Sequence, residues 1–402
     1  MPLPAQARER GFRAGRNLVY ATPALPRRGT VLHDEDRSMS QTVPRRALLA
    51  AGVAATAAFP APALAQTAPE LRWRLASGFP RKLDVLFGAS ETLARLVSEA
   101  TDGRFQIQPA PAGEGAPADG LLDAVGSGKV EMGYAFATAG RSDDPVFALA
   151  TGMPFGLNAR GQSAWWLQGG GGELYAEVFA KHGLVALPGG NTGAQMGGWF
   201  RREVKTVADF QGLKCRVEGL GGLVLAKFGA QPQASPGLDA YGALESKALD
   251  AVAWIGPYDD ERLGLQKVAP IYHYPGFWAG GALLHVWINA DAWKALPKAY
   301  RAVVQAAAAQ AGAEVQGKYD ARNPGALRRL VAGGAQLRPF PQDVMEAALR
   351  AANEVYADLS SKSADFKRVF DAMRTFRNDE YLWFQVAEYT FDNFMIRARA
   401  RG

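Results

Sequence analysis

The chain is poor in the residues that most often carry out chemistry. Among its 402 residues there is one cysteine, Cys215, and there are four histidines. A single cysteine excludes an internal disulfide, and its apolar-edged setting, LKCRV, reads as a buried structural thiol rather than a reactive one. Beyond residue 66 the histidines are His182, His273 and His285, without H-x-x-x-H spacing and without a cysteine partner, which argues against a zinc site. There is no G-x-S-x-G elbow, no G-x-x-x-x-G-K loop and no G-x-G-x-x-G after the first predicted strand. The runs GGGG at 169–172 and GLGG at 219–222 are short, and read as helix openings or packing relief rather than phosphate grips. No nucleophile, acid–base pair or cofactor motif stands out, so an enzyme is not expected.

A charge excess is missing as well. Residues 1–65 hold nine of the 45 basic and four of the 39 acidic residues, which is +5 of the formal +6. The remaining 36 basic and 35 acidic groups leave +1, so a nucleic-acid role has no electrostatic footing. Nothing after residue 66 is long and apolar enough to span a membrane.

What is present begins with an address. Arg45 and Arg46 open onto a stretch from Ala47 to Phe59 that closes on Ala63-Leu64-Ala65, a small-x-small cleavage pattern. This predicts a bacterial export signal of the twin-arginine kind, with Gln66 as the first mature residue and the periplasm as the destination. At 13 residues the stretch falls short of the ~20 a membrane span needs. The 38 residues before Met39 fit no export signal and read as an extension ahead of a true start at Met39.

From Gln66 on, secondary-structure signals alternate. LRWRLAS at 71–77 has the period of two of a strand, residues 85–100 have helical spacing at Leu86, Ala89, Leu93, Leu96 and Val97, and FQIQPA is a second strand. A short helix at 120–127 and a strand at 130–137 follow, the order expected of an α/β lobe with mostly parallel strands. A helix with Trp165 and Trp166, strands at LVALPG, QMGGWF and 213–217, a helix in GGLVLAKFGA and a strand ending KALDAVAWI extend the pattern. Residues 66–190 are expected to form mainly one lobe, and 191–290 mainly a second with crossing strands. Residues 291–402 read as a helical region that returns to the lobes, with breaks at Asn323-Pro324 and Gly333-Gly334 and a helix whose first turn contains Pro341. The last segment carries Leu382, Trp383, Phe384, Val386, Tyr389, Phe391, Phe394 and Met395, too apolar all round for a free helix. It either packs on its own domain or is clasped by a partner subunit.

Polar and aromatic residues gather at predicted strand ends: Phe79, Tyr134, Asn191, Gln195, Arg216, Glu218, Trp254 and Tyr258-Asp259-Asp260. Ligands of α/β folds collect at such places. Arg216 is the first choice of anchor, because a guanidinium meets a carboxylate with a planar fork of donors; the competing reading is a surface or packing arginine. Trp254, and Trp278 with Tyr274, either wall a ligand or fill the core.

These segments resemble the DctP-type solute receptors of tripartite ATP-independent periplasmic (TRAP) transporters, especially their 2-oxo-acid-binding branch. The matching stretches are ASGFPRKLD at 76–84, SEATDGRFQI at 98–107, PFGLNAR at 154–160, PGGNTGAQMGGWF at 188–200 and WIGPYDDERLG at 254–264, with ALPKAYRAV and DEYLWFQVAEYTFDNFM in the tail. The resemblance implies a two-lobed periplasmic solute-binding fold with mixed, mostly parallel sheets, a bridging helix and a helical tail. It implies a carboxylate gripped by Arg216 and a Na+ or Ca2+ ion held by Gln195, the backbone carbonyl of Trp254 and the ligand. It also implies a homodimer formed by exchange of the C-terminal helix and a membrane permease as partner. Two departures weaken the ion site: the branch usually has Glu where this chain has Ala253 and Ala279, which removes hard oxygen ligands and balancing charge. Glu218, on the Arg216 face of CRVE, is the candidate substitute as metal ligand, partner for a ligand amino or hydroxyl group, or simply an ion pair with Arg216. AFATAGRSDD lacks the tyrosine cluster expected after the third strand, which leaves Tyr134 and Phe136 as the nearby aromatics. The expected function is capture of a small monocarboxylate, a 2-oxo or 2-hydroxy acid, for the permease. The alternatives are a receptor presenting its ligand to a membrane sensor kinase, or one re-purposed for a different organic or amino acid.

Overall fold

The computed structural model describes residues 69–117, 120–138, 144–233 and 239–399; the expected export signal and the Met39 start lie outside them. The chain first lays down β1 (Leu71–Ser77), α1 (Leu86–Ala100), β2 (Phe105–Ala110), α2 (Leu121–Gly126), β3 (Met132–Phe136), α3 (Pro145–Thr151), α4 (Ala159–Gln168), α5 (Gly171–Ala180) and β4 (Leu184–Asn191). It continues with β5 (Gly198–Phe200), β6 (Lys214–Arg216), α6 (Gly219–Ala226), β7 (Gln231–Pro232), α7 (Ala240–Glu245), β8 (Ala251–Val252), α8 (Pro257–Leu263) and β9 (Ile271–Tyr274). The last part comprises β10 (Leu283–Asn289), α9 (Ala290–Ala295), α10 (Lys298–Ala332), β11 (Gln336–Pro339), α11 (Gln342–Lys362) and α12 (Ala364–Phe384). After a π-helical turn at Gln385–Tyr389 comes α13 (Thr390–Arg399).

Local chemistry explains many of these boundaries. In α1 the apolar stripe at Leu86, Ala89, Leu93 and Val97 is buried, as its spacing requires. The Asp144 side chain accepts from the Val146 amide and Pro145 supplies a preset φ, which together start α3. Asn158 does the same for α4 through the Gly161 amide. Pro341 stands immediately before α11, one place ahead of the expected first turn.

Two mixed sheets result. The first has the order β2-β1-β3-β10-β4, and the second β11-β9-β5-β8-β6-β7. β1, β2 and β3 run parallel, whereas β10 enters antiparallel between β3 and β4. In the second sheet β5 is antiparallel to both its neighbours, while β6 is parallel to β7 and β8. Six of the seven residues of β10 are buried, so LLHVWIN carries no alternation.

The expected break at Asn323-Pro324 does not occur. Helix α10 runs 35 residues through Pro324, about 50 Å at 1.5 Å per residue. A proline inside a helix costs about 3 kcal/mol through its missing N–H and its ring. Burial offsets this along the helix, from Tyr300 and Val304 through Val315 and Tyr319 to Ala326 and Leu330. Gly312 permits the closest approach: a Cβ there would stand 2.9 Å from the backbone nitrogen of Gly190. Helix α10 packs on α1 and on β4, where Gly312 and Val315 meet Gly190, and further along on α8, where Tyr319 donates to Asp259 and Arg329 to Glu261. The helix thus bridges the two sheets.

The tail divides. Phe366, Val369, Phe370 and Met373 of α12 are buried on the chain's own core. From Leu382 onward most apolar residues are open, with Leu382 68%, Val386 67% and Phe391 65% exposed, while Phe384 is half-buried beneath the Arg160 guanidinium.

Candidate functional site

The site is built where the second sheet ends. Arg216 is the last residue of β6, paired in register with Val252 of β8. Its side chain is only 9% exposed. One guanidinium nitrogen donates to the Ala253 carbonyl at 3.1 Å, another donates to Glu218 Oε1, and the guanidinium carbon lies 4.6 Å from the centre of a Trp254 ring. A desolvated guanidinium requires such partners, and the aromatic face contributes a further attraction. Neighbouring Cys215 faces the core, and burial pushes its thiol pKa up to about 12, as an inert cysteine requires.

The glycines of GLGG at 219–222 serve close packing. Gly219 turns the chain into α6 at φ 61°, and a Cβ at Gly221 would stand 2.7 Å from the Cβ of Trp278. Trp278 is therefore pressed against the start of α6, 6% exposed, and among the described residues its buried indole nitrogen and that of Trp254 have no partner. A Cβ at Gly219 would lie 3.4 Å from Thr138, so the beginning of α6 touches the segment that follows β3.

Gln195 lies in the loop that leads into β5. The Met196 amide donates to the Ile255 carbonyl at 3.0 Å, which ties the segment before β5 to the segment after β8 that carries Trp254. Gln195 Nε2 donates to Thr192 Oγ1 at 3.2 Å, which leaves its oxygen free of protein donors among the described residues. Asn191 and Tyr134 are committed differently. Asn191 Nδ2 donates to Gln162 Oε1 at 2.6 Å while its oxygen accepts from the Gly193 amide at 3.0 Å, and Gln162 in turn donates to the Gly281 carbonyl at 2.9 Å. Tyr134 is fully buried and donates to the Gly189 carbonyl at 3.0 Å; burial raises its pKa well above the ordinary phenol value. Phe79 meets Tyr134 and Phe136 edge to face, at 5.9 and 5.4 Å. Arg216 thus touches both Glu218 and Trp254, with Trp278 behind the same helix start. Gln195, Thr192 and Asn191 form a second group, while Phe79 and Tyr134 belong to the first sheet.

Tyr258, Asp259 and Asp260 open α8 rather than lining a loop. Asp260 accepts from Tyr272 at 2.7 Å and from Trp199 at 3.0 Å, and Asp259 accepts from Tyr319 of α10 at 2.6 Å. Burial raises both carboxyls, Asp259 to about 6 and Asp260 to about 7. Sequence reasoning missed the cluster beside them. Asp84, after β1, accepts from the Tyr258 hydroxyl at 3.1 Å and from Arg322 of α10 at 2.8 Å. Its signal was available, since Asp84 and Tyr258 both lie in the stretches that carry the family resemblance.

Among the described residues no three His, Cys, Asp or Glu side chains converge on one point suited to a metal ion. Around Arg216 the oxygens are the Ala253 carbonyl and the Glu218 carboxylate, and the Gln195 amide oxygen lies on the neighbouring loop. Positions 253 and 279, both alanine, supply no side-chain oxygen. Such a set can complete a hard cation's shell only with oxygens from a bound acid and water.

Comparison with known proteins agrees with this architecture. The chain is 44% identical over 326 residues, 81% of its length and 89% of the relative's, to a monocarboxylate 2-oxoacid-binding periplasmic protein of Nostoc sp.. A TRAP transporter solute-binding protein from Bordetella bronchiseptica is 43% identical with a TM-score of 0.81, covering 83% of this chain and 99% of that one; it is a mixed-occupancy dimer with copurified calcium and picolinate in one active site and the other apo. Another, from Pseudoalteromonas atlantica with bound sodium and pyruvate, is 34% identical with a TM-score of 0.78, covering 81% of this chain and 99% of that one. The model of DctP, the bacterial extracellular solute-binding proteins of family 7, matches residues 77–363, and the chain belongs to that family.

Proposed function

We propose that the protein is the periplasmic receptor of a TRAP transport system, which captures a small monocarboxylate at Arg216 and delivers it unchanged to the membrane permease. The observation that carries this reading is the buried Arg216 guanidinium, backed by Trp254 and already holding a carboxylate, that of Glu218. An acid that enters exchanges one carboxylate for another on a desolvated cation, which favours binding without any covalent step. The ligand class is a 2-oxo or 2-hydroxy acid. Trp254 and Trp278 wall it, Phe79 and Tyr134 bound it from the first sheet, and Asn191 holds the Gln195 loop in place.

A Na+ or Ca2+ ion is bound by relatives with such ligands. Here Gln195 Oε1, the Trp254 carbonyl and Glu218 are the groups to hold one, and the alanines at 253 and 279 make the requirement for it weaker. Its contribution would be to neutralise the charge of the acid. The exposed apolar tail beyond Leu382 is the dimerisation element, covered by a second copy of the chain. The domain limits that follow are a first lobe mainly over 66–190, a second mainly over 191–290, and a helical remainder that returns to both.

Isothermal titration of the purified protein with 2-oxo and 2-hydroxy monocarboxylates tests the reading. Tight binding without turnover is expected, and Arg216→Ala should cost at least ~2 kcal/mol, roughly 30-fold in Kd. A wild-type protein that binds none of these acids, or an R216A protein that binds them equally well, would contradict it.

A further inference from the structure

Two of the contacts that Arg216 makes belong to the framework, and one does not. The Ala253 carbonyl is backbone, and the Trp254 ring is carried on the chain next to it. Glu218 is different: its side chain is 48% exposed, makes no capping bond to α6, and precedes a glycine at φ 61°. It can leave Arg216 without disturbing β6 or β8. Being two residues from Arg216 in an extended segment, it cannot go far.

We infer, resting on the reading of Arg216 as the acid anchor, that Glu218 is the anchor's internal occupant and selects ligands with a hydrogen-bond donor on carbon 2. The entering carboxylate takes the place of Glu218 on the guanidinium, and the displaced side chain then lies beside the neighbouring carbon of the ligand. An ionised carboxylate only accepts hydrogen bonds. A 2-hydroxyl or 2-ammonium group satisfies it, whereas a 2-oxo group turns its own lone pairs toward it, an acceptor facing an acceptor. Glu218 is half exposed and keeps part of its water, so this mismatch discriminates on the order of tenfold rather than by the larger ratios of fully buried pairs. Ala253 and Ala279 add no competing carboxylate, which leaves the choice to Glu218. The same acid can bring a cation that lies between the two acceptors and relieves the mismatch, so discrimination is greatest in chelator.

The experiment is titration of the protein purified from the periplasmic fraction with lactate, alanine and pyruvate in chelating buffer, for wild type, Glu218→Gln, Glu218→Ala and Arg216→Ala. Wild type should bind lactate or alanine at least about tenfold tighter than pyruvate. In Glu218→Gln, whose amide both donates and accepts, the ratio should shrink to within about threefold, mainly through a gain for pyruvate. Glu218→Ala should lose the preference too, which separates the effect from any peculiarity of the amide. A ratio unchanged in both Glu218 variants, or a wild type that prefers pyruvate, overturns the selector role; if Arg216→Ala still abolishes binding in that case, the anchor itself stands. Binding of no acid to any of the four proteins removes the anchor and the selector together.

Discussion

Asp259 and Asp260 stand side by side at the start of α8 with no exposed surface, and every group that donates to them is neutral: Tyr319, Tyr272, Trp199 and the Ile255 amide. Raised pKa values mean the folded state keeps protons that the unfolded chain releases near pH 4. Their contribution is therefore complete below pH 4 and lost as pH climbs through about 6 and 7. Two buried histidines act oppositely. His285, with neither nitrogen partnered among the described residues, is lowered by burial to about 3, and His273 to about 4. These two oppose folding at pH 4–6, where the unfolded chain protonates them, and cease to do so above the ordinary value near 6.5. The opposing slopes should leave wild type with a shallow thermal-midpoint profile from pH 4.5 to about 7 and a flat one above, where these groups carry the same charge folded and unfolded. Asp259→Asn removes one falling component, so its midpoint should climb more steeply over that range, as a melting series by circular dichroism would record. At this scale Arg216 was legible, because a charged residue at a strand end needs a partner and Glu218 lies on its face. The buried amide of Asn191 and hydroxyl of Tyr134 were legible only as polar groups. Their donors and acceptors, Gln162 and Gly189, are set by tertiary packing that sequence spacing does not encode.

Elements were legible where one face is wet. β1 and β2 show alternation and were bounded correctly, and α1 shows its stripe. β10 was not recognised, because a strand enclosed by β3 and β4 and covered on both faces reads as an undivided apolar run. Helix α10 misled for the opposite reason: Pro324 is a true local breaker, overruled by a buried face that extends from Tyr300 to Leu330. The cost persists in the fold. Pro324→Ala restores a backbone donor to the helix interior and should raise stability by about 1 kcal/mol or more, read as a higher denaturant midpoint with an unchanged slope. Asn323 should not tolerate the same treatment, since its side-chain oxygen accepts from the Tyr258 amide at 3.0 Å and so caps the entrance to α8.

At the scale of the whole molecule the tail makes the clearest demand. Trp383, Tyr389, Phe391 and Phe394 are each 59–65% exposed, an apolar surface a monomer seldom leaves open. Full cover of each aromatic side chain stabilises by about 1.5–3 kcal/mol. A Phe391→Asp, Phe394→Asp double variant should therefore convert a dimer to a monomer by light scattering while leaving acid binding at Arg216 intact. A different demand arises from the placement of β10. Because that strand lies between β3 and β4, the edge strand β4 has no partner in the first sheet until residue 289 has been made. The two cores also wait for Val304, Val315 and Tyr319, and for Val344, Tyr356 and Phe370. At ~5–20 residues per second, β4 leaves the ribosome on the order of ten seconds before the strand that must join it. β1, β2 and β3 can pair as soon as they emerge, but β4 and the free edge of β3 wait through that interval for β10, so closure of the first sheet is expected late in synthesis.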